Sequence, residues 1–292
     1  TILNTPGVKN DNNIDRFSLF YPVGKCKIVW GTITDKETVE KAMEGVDIVI
    51  HTAALIHVDD SISNPTKYFH TNVMGTNNVL EAIRKYDIPL IHISTCEVYG
   101  FQDETLKEDS PLMPNSPYAA SKAAADRMVY SYCVTYGIRA CIIRPFNVFG
   151  YGQKDGKCGA VIPIWKQKIY NDEDIVIYGD GSQSREFIHI SDVIEAYQII
   201  INKMLKTSEL NGKVINIGTG VEVTIKELAN TLKDLIVSTD GKGTKSKIIH
   251  ADSRPGEVKK FISNSNYMKS LGWSPKVDLK AGLTDYLNKE RW

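Results

Sequence analysis

Residues 89–100 read PLIHISTCEVYG, an apolar run that ends in a threonine, a thiol and a carboxylate. Near-continuous hydrophobicity over a few residues is typical of a strand that is covered on both faces. The same texture recurs in KIVW (27–30), DIVIHT (47–52) and ACIIR (140–144). Segments with helical periodicity separate these runs, over 36–44, about 64–86 and 117–136. This alternation predicts an α/β fold built on a doubly wound parallel sheet.

The texture of the chain changes after about residue 150. Gly/Asp turns and short strands follow, with helices predicted over about 191–205, 224–236 and 279–290. We therefore predict two regions, a ligand-binding sheet region over 1–150 and a smaller region over 151–292 that mainly holds substrate.

The composition limits the class of partner. The chain has 292 residues, 42% of them hydrophobic, and its 35 basic and 35 acidic residues balance to a formal net charge of zero. A balanced charge argues against a nucleic-acid or membrane surface, and no apolar run reaches the roughly 18 to 20 residues of a membrane span. We therefore expect a small molecule as partner, with no nucleic acid and no membrane.

The cysteines and histidines predict neither disulfides nor a metal site. Five cysteines are spread without CxxC or Cys/His ligand spacing: Cys26, Cys96, Cys133, Cys141 and Cys158. His51, His92 and His189 lie at strand ends or in apolar runs, with no carboxylate or cysteine at ligand spacing. We interpret the cysteines as reduced thiols and place the protein in the cytoplasm.

A tyrosine and a lysine four residues apart, in YAASK (118–122), are the first candidate catalytic groups. On a helix, Tyr118 and Lys122 share a face. A nearby ammonium stabilises phenolate, so a tyrosine that normally titrates near ~10 could act as a base close to neutral pH. Thr95, at the carboxyl end of the preceding strand, could bind the same substrate oxygen. Such a pair also occurs on solvated helix faces, so the spacing alone decides nothing.

Further motifs accompany this pair along the chain. They are STCEVYG (94–100), SPYAASKAAAD (116–126), RPFNVFGYGQ (144–153), AVIP (160–163), IYGDGSQSREFIHISDVIEAY (177–197), INIGTG (215–220), RPGEV (254–258) and LGWSPKVDL (271–279). In order and spacing they resemble the extended short-chain dehydrogenase/reductase family, in its nucleotide-sugar branch of epimerases and 4,6-dehydratases. The resemblance runs from about residue 27 to 290. It implies an NAD(P)-dependent enzyme with a Rossmann-like cofactor domain over 1–150.

The resemblance implies roles for the tyrosine, the lysine and the threonine. Tyr118 would take the proton from a sugar 4-hydroxyl while a hydride leaves C4 for NAD. Lys122 would bind the nicotinamide ribose and lower the pKa of the tyrosine. Thr95 would bind the 4-oxygen, and the first product would be a 4-keto sugar.

Other positions match family residues that line the cofactor or the nucleotide. The cofactor positions are Thr32, Ile33, Thr52, Ala53, Ala54, Asn72 and Pro145, besides Tyr118 and Lys122. Thr32 stands where the family usually has an aspartate that contacts the adenine. Asn147, Arg185 and Arg254 match positions that hold the nucleotide diphosphate, and a guanidinium fork suits a pyrophosphate in charge and in bidentate geometry.

The two residues after the threonine would decide the fate of the 4-keto sugar. A ketone at C4 acidifies the C5 proton, and a carboxylate near C5 can remove that proton while the C6 hydroxyl leaves as water. Glucose 4,6-dehydratases carry Asp and Glu here, whereas this chain keeps Glu97 and has Cys96 in place of the acid. We predict a 4,6-dehydratase first and a nucleotide-sugar 4-epimerase as the alternative. A nucleotide-hexuronate decarboxylase and a non-catalytic family member are further alternatives.

A dinucleotide-binding domain of this type opens with a strand and a Gly-rich turn whose N–H groups hold the pyrophosphate. The sequence lacks that turn, because it begins TILNTPGVKNDNNIDRF and GTITD already follows at 31–35. We therefore expect the first βαβ elements to lie outside these 292 residues. Without them we expect the chain neither to fold stably nor to bind NAD by itself. The residue that selects NAD over NADP would lie in the same part, so NADP stays open.

The resemblance also implies that the chain pairs with a second copy of itself. The helices predicted over 64–86 and 117–136 resemble those that form a four-helix interface in this family, so we expect a homodimer. Core packing explains the apolar positions of these helices equally well.

Overall fold

The structure is a computed structural model that describes residues 1–4, 27–102, 104–153, 160–240, 243–252 and 260–289. Arg254, which the sequence assigns to substrate binding, lies outside the described residues, as do Cys26 and Cys158. The chain forms two compact units. The first unit comprises Thr1–Ser94, Ser116–Ile143 and Ile201–Val214, and the second comprises Thr95–Asn115, Arg144–Ile200 and Ile215–Trp292.

Parallel strands form the centre of the first unit. They are β1 (Ile2–Asn4), β2 (Ile28–Trp30), β3 (Val49–His51), β4 (Leu90–Ile93) and β5 (Ala140–Pro145), the last of which continues into the second unit. In β3, β4 and β5, Val49 pairs with Leu90 and Leu90 pairs with Ala140, all in parallel. Each predicted apolar run therefore forms a strand, with ends within two residues of those predicted.

Among the described residues, these α-helices lie entirely within the first unit. They are α1 (Lys36–Ala42), α2 (Val58–Ser63), α3 (Pro65–Phe69), α4 (Gly75–Tyr86) and α5 (Pro117–Tyr136). The bounds of α5 are those predicted, since local signals mark both of its ends. Ser116 accepts a hydrogen bond from the N–H of Ala119, Pro117 occupies the first turn, and Gly137 ends the helix at φ 67°.

A π-helical turn, His70–Met74, interrupts the single helix that periodicity predicts over about 64–86. It joins α3 to α4 and contains Asn72, whose side chain is buried. Such turns are rare and often mark functional sites. Gly75 follows at once, and a Cβ there would lie 2.5 Å from the side chain of Ile33. The glycine therefore lets α4 pack closely against the loop after β2.

The sheet of the first unit has two parts. β1 pairs in parallel with β2 as a separate two-stranded sheet, while β3 is an outer strand of a four-stranded sheet whose order is β10-β5-β4-β3. Here β10 is Val214–Ile217, of which residues 215–217 belong to the second unit. Within the described ranges no strand pairs with β3 on the side opposite β4. The expectation that further elements lie outside these 292 residues stays a prediction.

The second unit has short strands and a core of its own. Its further described elements are β6 (Asn147–Phe149), α6 (Val161–Tyr170), β7 (Ile175–Tyr178), β8 (Ser184–Arg185), β9 (Phe187–His189), α7 (Ile190–Lys206), β11 (Val223–Thr224), α8 (Ile225–Asp240), β12 (Ile248–Ala251), α9 (Asn266–Ser270) and α10 (Leu279–Lys289). The part of α7 from Ile201 onward belongs to the first unit. β6 pairs with β9 and β7 with β12 in parallel, and β8 pairs with β11 antiparallel. Phe149, Trp165, Leu228, Leu232 and Tyr286 belong to its buried cluster. This mixed texture is the one predicted after residue 150.

The two units interleave along the chain, whereas the sequence predicts one boundary at residue 150. The chain leaves the first unit after Ser94 and again after Ile143, at or close to the ends of β4 and β5. Parallel strands need long crossover connections, so segments distant in sequence alternate between units. The division into a cofactor region and a substrate region stays a prediction. None of the described helices is long and apolar enough to cross a membrane.

Candidate active site

Tyr118 and Lys122 lie on the first two turns of α5, with only 8% and 4% of their surfaces exposed. The Nζ of Lys122 donates a 2.6 Å hydrogen bond to the carbonyl oxygen of Ile93, the last residue of β4. Burial lowers the pKa of Lys122 to about 8, and the carboxylate of Asp126 opposes part of this decrease. The lysine is therefore charged at neutral pH and anchored at the carboxyl end of a parallel strand.

Two serines and an aromatic ring fix the first turn of α5. Ser61 accepts a hydrogen bond from the N–H of Tyr118 at 3.1 Å and donates one to Val58 at 2.6 Å. Ser121 donates to the carbonyl oxygen of Tyr118 at 2.7 Å. The ring of Tyr68 meets that of Tyr118 edge to face, with centroids 6.5 Å apart. Tyr118 is thus held in place, as a general base must be.

Asn72, a predicted cofactor residue, connects three parts of the first unit. Its amide oxygen accepts a hydrogen bond from the N–H of Leu55 at 2.8 Å. Its amide nitrogen donates to the carbonyl oxygen of Leu55 at 3.0 Å and to the hydroxyl of Ser121 at 2.9 Å. Both N–H donors are therefore used within the protein. Asn72 holds the loop after β3 to α5, so the geometry favours an indirect role in cofactor binding.

Thr52, Ala53 and Ala54 follow β3 directly and begin that loop. The side chains of Thr52 and Ala53 are small and exposed, so the loop backbone is accessible at the carboxyl edge of the sheet. Open α/β sheets bind their ligands at this edge. A nicotinamide dinucleotide needs donors for its ribose hydroxyls, and the ammonium of Lys122 has three, of which the bond to Ile93 uses one. These residues therefore fit the nicotinamide ribose of NAD.

Thr32 and Ile33, two further predicted cofactor residues, are mostly engaged within the first unit. The hydroxyls of Thr32 and Thr34 share a hydrogen bond of 3.0 Å. The side chain of Ile33 is buried in the core cluster, and its carbonyl oxygen accepts a hydrogen bond from Asn78 at 3.0 Å. Their cofactor roles stay predictions, and for Ile33 only the backbone is available.

His51 and His92 form a buried pair to which the sequence assigned no function. They lie opposite each other on β3 and β4, with ring centroids 5.3 Å apart. Thr76 donates its hydroxyl proton to Asn72, so it accepts the 3.0 Å hydrogen bond from Nε2 of His51. Neither ring nitrogen of His92 has a partner among the described residues. Burial, reinforced by the charge of Lys122, lowers the pKa of His51 to about 3 and that of His92 well below its usual value. Both rings are therefore neutral.

Thr95, Cys96 and Glu97 open the second unit as one compact turn. Thr95 caps a 3₁₀ helix, Cys96–Tyr99, by accepting a hydrogen bond from the N–H of Glu97 at 3.3 Å. The cap uses the oxygen of the hydroxyl as acceptor, and the same side chain also hydrogen-bonds the thiol of Cys96. Cys96 is buried, while Glu97 is partly exposed. In the structure the three candidate groups follow the buried strand β4, in the position that the sequence predicts for Thr95.

Burial and neighbouring charges raise the pKa of both the thiol and the carboxylate in this turn. Burial raises the pKa of Cys96 well above its usual value, and the carboxylates of Glu97 and Glu186 add to the increase. Burial also raises the pKa of Glu97, while the guanidinium of Arg185 opposes the increase. The thiol is therefore neutral, and Glu97 is the group in this turn that can exchange protons.

The predicted substrate residues in the second unit lie on its short strands. Arg185, on β8, donates to the carbonyl oxygen of Ser184 at 2.8 Å and lies over the ring of Phe261, 5.4 Å from its centroid. Asn147, at the start of β6, donates its amide to the carbonyl oxygen of Glu186 at 2.8 Å. Pro145, a predicted cofactor residue, is the last residue of β5. The roles of Arg185 and Asn147 in substrate binding stay predictions.

The structure thus gathers the candidate residues into two groups. In the first unit Tyr118 and Lys122 lie beside the loop that Asn72 holds, and in the second unit Glu97 lies within electrostatic reach of Arg185. No cluster of metal-ligating side chains occurs in the part of the chain that the structure describes.

The parallel sheet and the buried tyrosine and lysine at its carboxyl edge define a short-chain dehydrogenase/reductase type of enzyme. Comparison with known families is more specific. The chain belongs to the NAD dependent epimerase/dehydratase family, whose sequence model matches residues 4–218. This confirms the predicted family and its cofactor, NAD.

Some relatives are named as 4-epimerases and others as 4,6-dehydratases. A protein of Methanocaldococcus jannaschii, provisionally named UDP-glucose 4-epimerase, is 34% identical over an alignment of 291 residues that covers 98% of this chain and 88% of that protein. The dTDP-glucose 4,6-dehydratase of Streptomyces niveus is 33% identical over an alignment of 273 residues that covers 91% of this chain and 77% of that protein. The dTDP-glucose 4,6-dehydratase of Streptomyces venezuelae, solved with NAD, matches with a TM-score of 0.81 and 29% identity over 94% and 84% of the chains. The fold is confirmed, and the choice of activity rests on the site.

Proposed function

We propose that this enzyme oxidises C4 of a nucleotide-diphosphate sugar and then eliminates water across C5 and C6, as a 4,6-dehydratase. The observation that carries the proposal is Glu97, a carboxylate on the turn after β4 whose pKa burial raises. Dehydration needs a group that takes the C5 proton and gives a proton to the departing hydroxyl. A 4-epimerase needs no carboxylate at this position.

Tyr118 begins the reaction as the base that takes the proton from the 4-hydroxyl. The buried, charged Lys122 favours the phenolate form of the tyrosine, and Thr95 donates its hydroxyl to the 4-oxygen. Lys122 and the loop at residues 52–54 would hold NAD, which would supply the hydride acceptor for C4 and later the hydride for C6. The result of this stage is a 4-ketone.

Glu97 then works on C5 and C6. Its carboxylate takes the C5 proton, the C6–O bond breaks, and the hydroxyl leaves as water with the proton that Glu97 carries. Glu97 takes a new proton from solvent and returns it to C5, while Tyr118 releases the 4-hydroxyl proton to solvent. The buried thiol of Cys96 has a raised pKa and is a poor acid, so Glu97 serves both steps.

A 4-epimerase is the second candidate, because the M. jannaschii relative carries that name. In that reaction the keto sugar turns within the site and Tyr118 returns its proton to the 4-oxygen. Glu97 would then have no chemical step. A nucleotide-hexuronate decarboxylase and a non-catalytic member are the remaining alternatives.

The test is a panel of UDP-, dTDP-, GDP- and CDP-sugars incubated with NAD and the full-length protein, followed by product masses. A 4,6-dehydratase gives a product lighter by one water. Glu97→Gln abolishes this loss but retains reduction of the cofactor, whereas Glu173→Gln, a substitution at the surface, leaves both unchanged. An unchanged mass with an inverted C4 hydroxyl would instead establish an epimerase, and loss of carbon dioxide a decarboxylase.

We also propose that two copies associate through α3, α4 and α5. These helices and the π turn between α3 and α4 expose large apolar or aromatic side chains: Phe69, Met74, Tyr86, Tyr130, Val134 and Tyr136. Clusters of exposed apolar groups often mark interfaces between copies of a chain. The cytoplasmic location predicted from the reduced thiols stays a prediction.

A further inference from the structure

Tyr99 ends the short 3₁₀ helix that carries Cys96 and Glu97, and it is fully buried. Its hydroxyl donates a 2.7 Å hydrogen bond to the side-chain oxygen of Asn216, on β10. The guanidinium of Arg144 covers its ring, 4.7 Å from the centroid. Burial raises the pKa of Tyr99 to about 12, so the hydroxyl remains a donor at every pH at which the enzyme works.

Asn216 is also fully buried, and its side-chain amide is saturated with hydrogen bonds. Its nitrogen donates to the carbonyl oxygens of Leu106 at 3.0 Å and Asn264 at 3.4 Å, while its oxygen accepts the bond from Tyr99. The N–H of Asn216 donates to the carboxylate of Glu108 at 3.1 Å. These bonds fix the amide in one orientation, which aims the oxygen at the tyrosine.

Arg144 connects the other side of the ring to the same segment. Its Nη1 donates to the carbonyl oxygen of Glu108 at 3.1 Å, and its own exposure is only 1%. The ring of Tyr99 is thus clamped by a buried cation on its face and by Asn216 at its hydroxyl. A buried polar network that is fully hydrogen-bonded holds its members in a unique arrangement.

The backbone of the turn is fixed at its far end as well. The N–H of Gly100 donates to the carbonyl oxygen of Glu97 at 3.2 Å, and that of Met113 donates to the carbonyl oxygen of Tyr99 at 3.3 Å. Gly100 has φ 63°, and a Cβ at this position would collide with the carbonyl oxygen of Met113. A single 3₁₀ turn has little stability of its own, so these contacts decide where Glu97 lies.

We infer that Tyr99 and Asn216 are positioning residues, which hold the turn of Cys96 and Glu97 in the geometry that proton transfer requires. The significance of Glu97 rests on the proposed function, whereas the fixed position of the turn does not. General bases lose about 10²-fold in rate when they are displaced by roughly 1 Å. Neither Tyr99 nor Asn216 has an oxygen or nitrogen left over for the chemistry, so they act through Glu97.

The test separates the position of the turn from the chemistry. Tyr99→Phe keeps the ring under Arg144 and removes only the hydroxyl. The first readout is alkylation of Cys96 by iodoacetamide, mapped by mass spectrometry, with the buried Cys141 of the first unit as internal reference. We expect Cys96 to react at least about 10-fold faster in Tyr99→Phe while Cys141 is unchanged, because opening of a single turn exposes only its own thiol. Tyr178→Phe, which removes the hydroxyl of a tyrosine exposed on β7, is the matched control.

The second readout is the exchange of the C5 hydrogen with solvent deuterium at saturating nucleotide sugar. We expect Tyr99→Phe and Asn216→Ala to slow this exchange by about 10²-fold at unchanged KM, with cofactor reduction retained. Equal alkylation of Cys96 in wild type and Tyr99→Phe would overturn the inference, and so would faster alkylation of both cysteines, which indicates general destabilisation. A wild-type enzyme without C5 exchange would instead reject the proposed dehydration, and the alkylation result would still decide the position of the turn.

Discussion

Lys122 and Ile93 are joined by a 2.6 Å hydrogen bond from the lysine Nζ to the carbonyl oxygen of the last residue in β4. The bond anchors a buried ammonium at the strand end from which the chain leads into the Thr95 turn. Burial places the pKa of this lysine near the working pH of an enzyme, at about 8. A group that titrates there makes catalysis sensitive to pH.

The rate of cofactor reduction should therefore fall as pH rises above about 8, since Lys122 loses the charge that favours the phenolate of Tyr118. Lys122→Arg keeps a charge at all accessible pH values and should move this decrease to higher pH. The measurement is kcat for reduction of the cofactor between pH 6 and pH 10. The exposed Lys41→Arg is the control, and an unchanged profile in an active Lys122→Arg would contradict the assignment.

Substitution of Arg185 should change the pH at which Glu97 works. The guanidinium opposes the increase that burial causes in the pKa of Glu97, so Arg185→Met should raise this pKa further. The base form of Glu97 then needs a higher pH, and the acidic limb of C5 exchange shifts to higher pH at saturating substrate. Arg185→Lys keeps the charge and should keep the limb near its wild-type position. A limb that is the same in Arg185→Met and wild type would show that the arginine does not act on Glu97.

The buried histidines should make the protein sensitive to acid. The folded-state pKa of His51 is about 3, below its usual value, so the unfolded chain binds more protons between these limits. The contribution of His51 to the unfolding free energy is therefore fully present above about pH 6.5, and it is lost as the pH falls towards 3. His92→Phe removes one such group and an imidazole whose nitrogens have no partner among the described residues. In His92→Phe the slope of unfolding free energy against pH should therefore be smaller than in wild type, by up to about 1.4 kcal/mol per pH unit.

Chemical unfolding at several pH values between 4 and 7 measures this effect. His70→Asn, at an exposed position of the π turn, is the control and should leave the dependence unchanged. If His92→Phe and wild type lost stability in parallel on acidification, the buried pair would not be the acid-sensitive element.

If α5 lies in the proposed interface, a charged side chain introduced on it should lower the mass of the particle in solution. Val134, on α5, is 69% exposed, and a carboxylate in an apolar contact between two copies lacks a partner. Val134→Glu should therefore shift the protein from dimer to monomer in sedimentation experiments, with cofactor reduction by the monomer as a separate readout. Val221→Glu places the same charge at an exposed apolar position of the second unit and should not change the mass. A wild-type protein that sediments as a monomer would refute the interface.

Elements with local signals were predictable, and elements that depend on distant contacts were not. The bounds of α5 follow from Ser116, Pro117 and Gly137, which are its immediate neighbours or its first residue. The π turn at His70–Met74 has no comparable signal, because Asn72 is held there by Leu55 and Ser121. The interleaving of the two units has the same origin, since crossover connections carry segments distant in sequence into each unit.

The sequence by itself determined the family, the parallel sheet and the identity of the candidate groups, because the spacing of Tyr118 and Lys122 and the order of the motifs are properties of the chain. Only the tertiary structure decided their chemical state. The burial that lowers the pKa of Lys122 and raises those of Cys96 and Glu97 comes from residues far away in the sequence. Ionisation depends on solvation and on neighbouring charge, and both are set by packing rather than by composition.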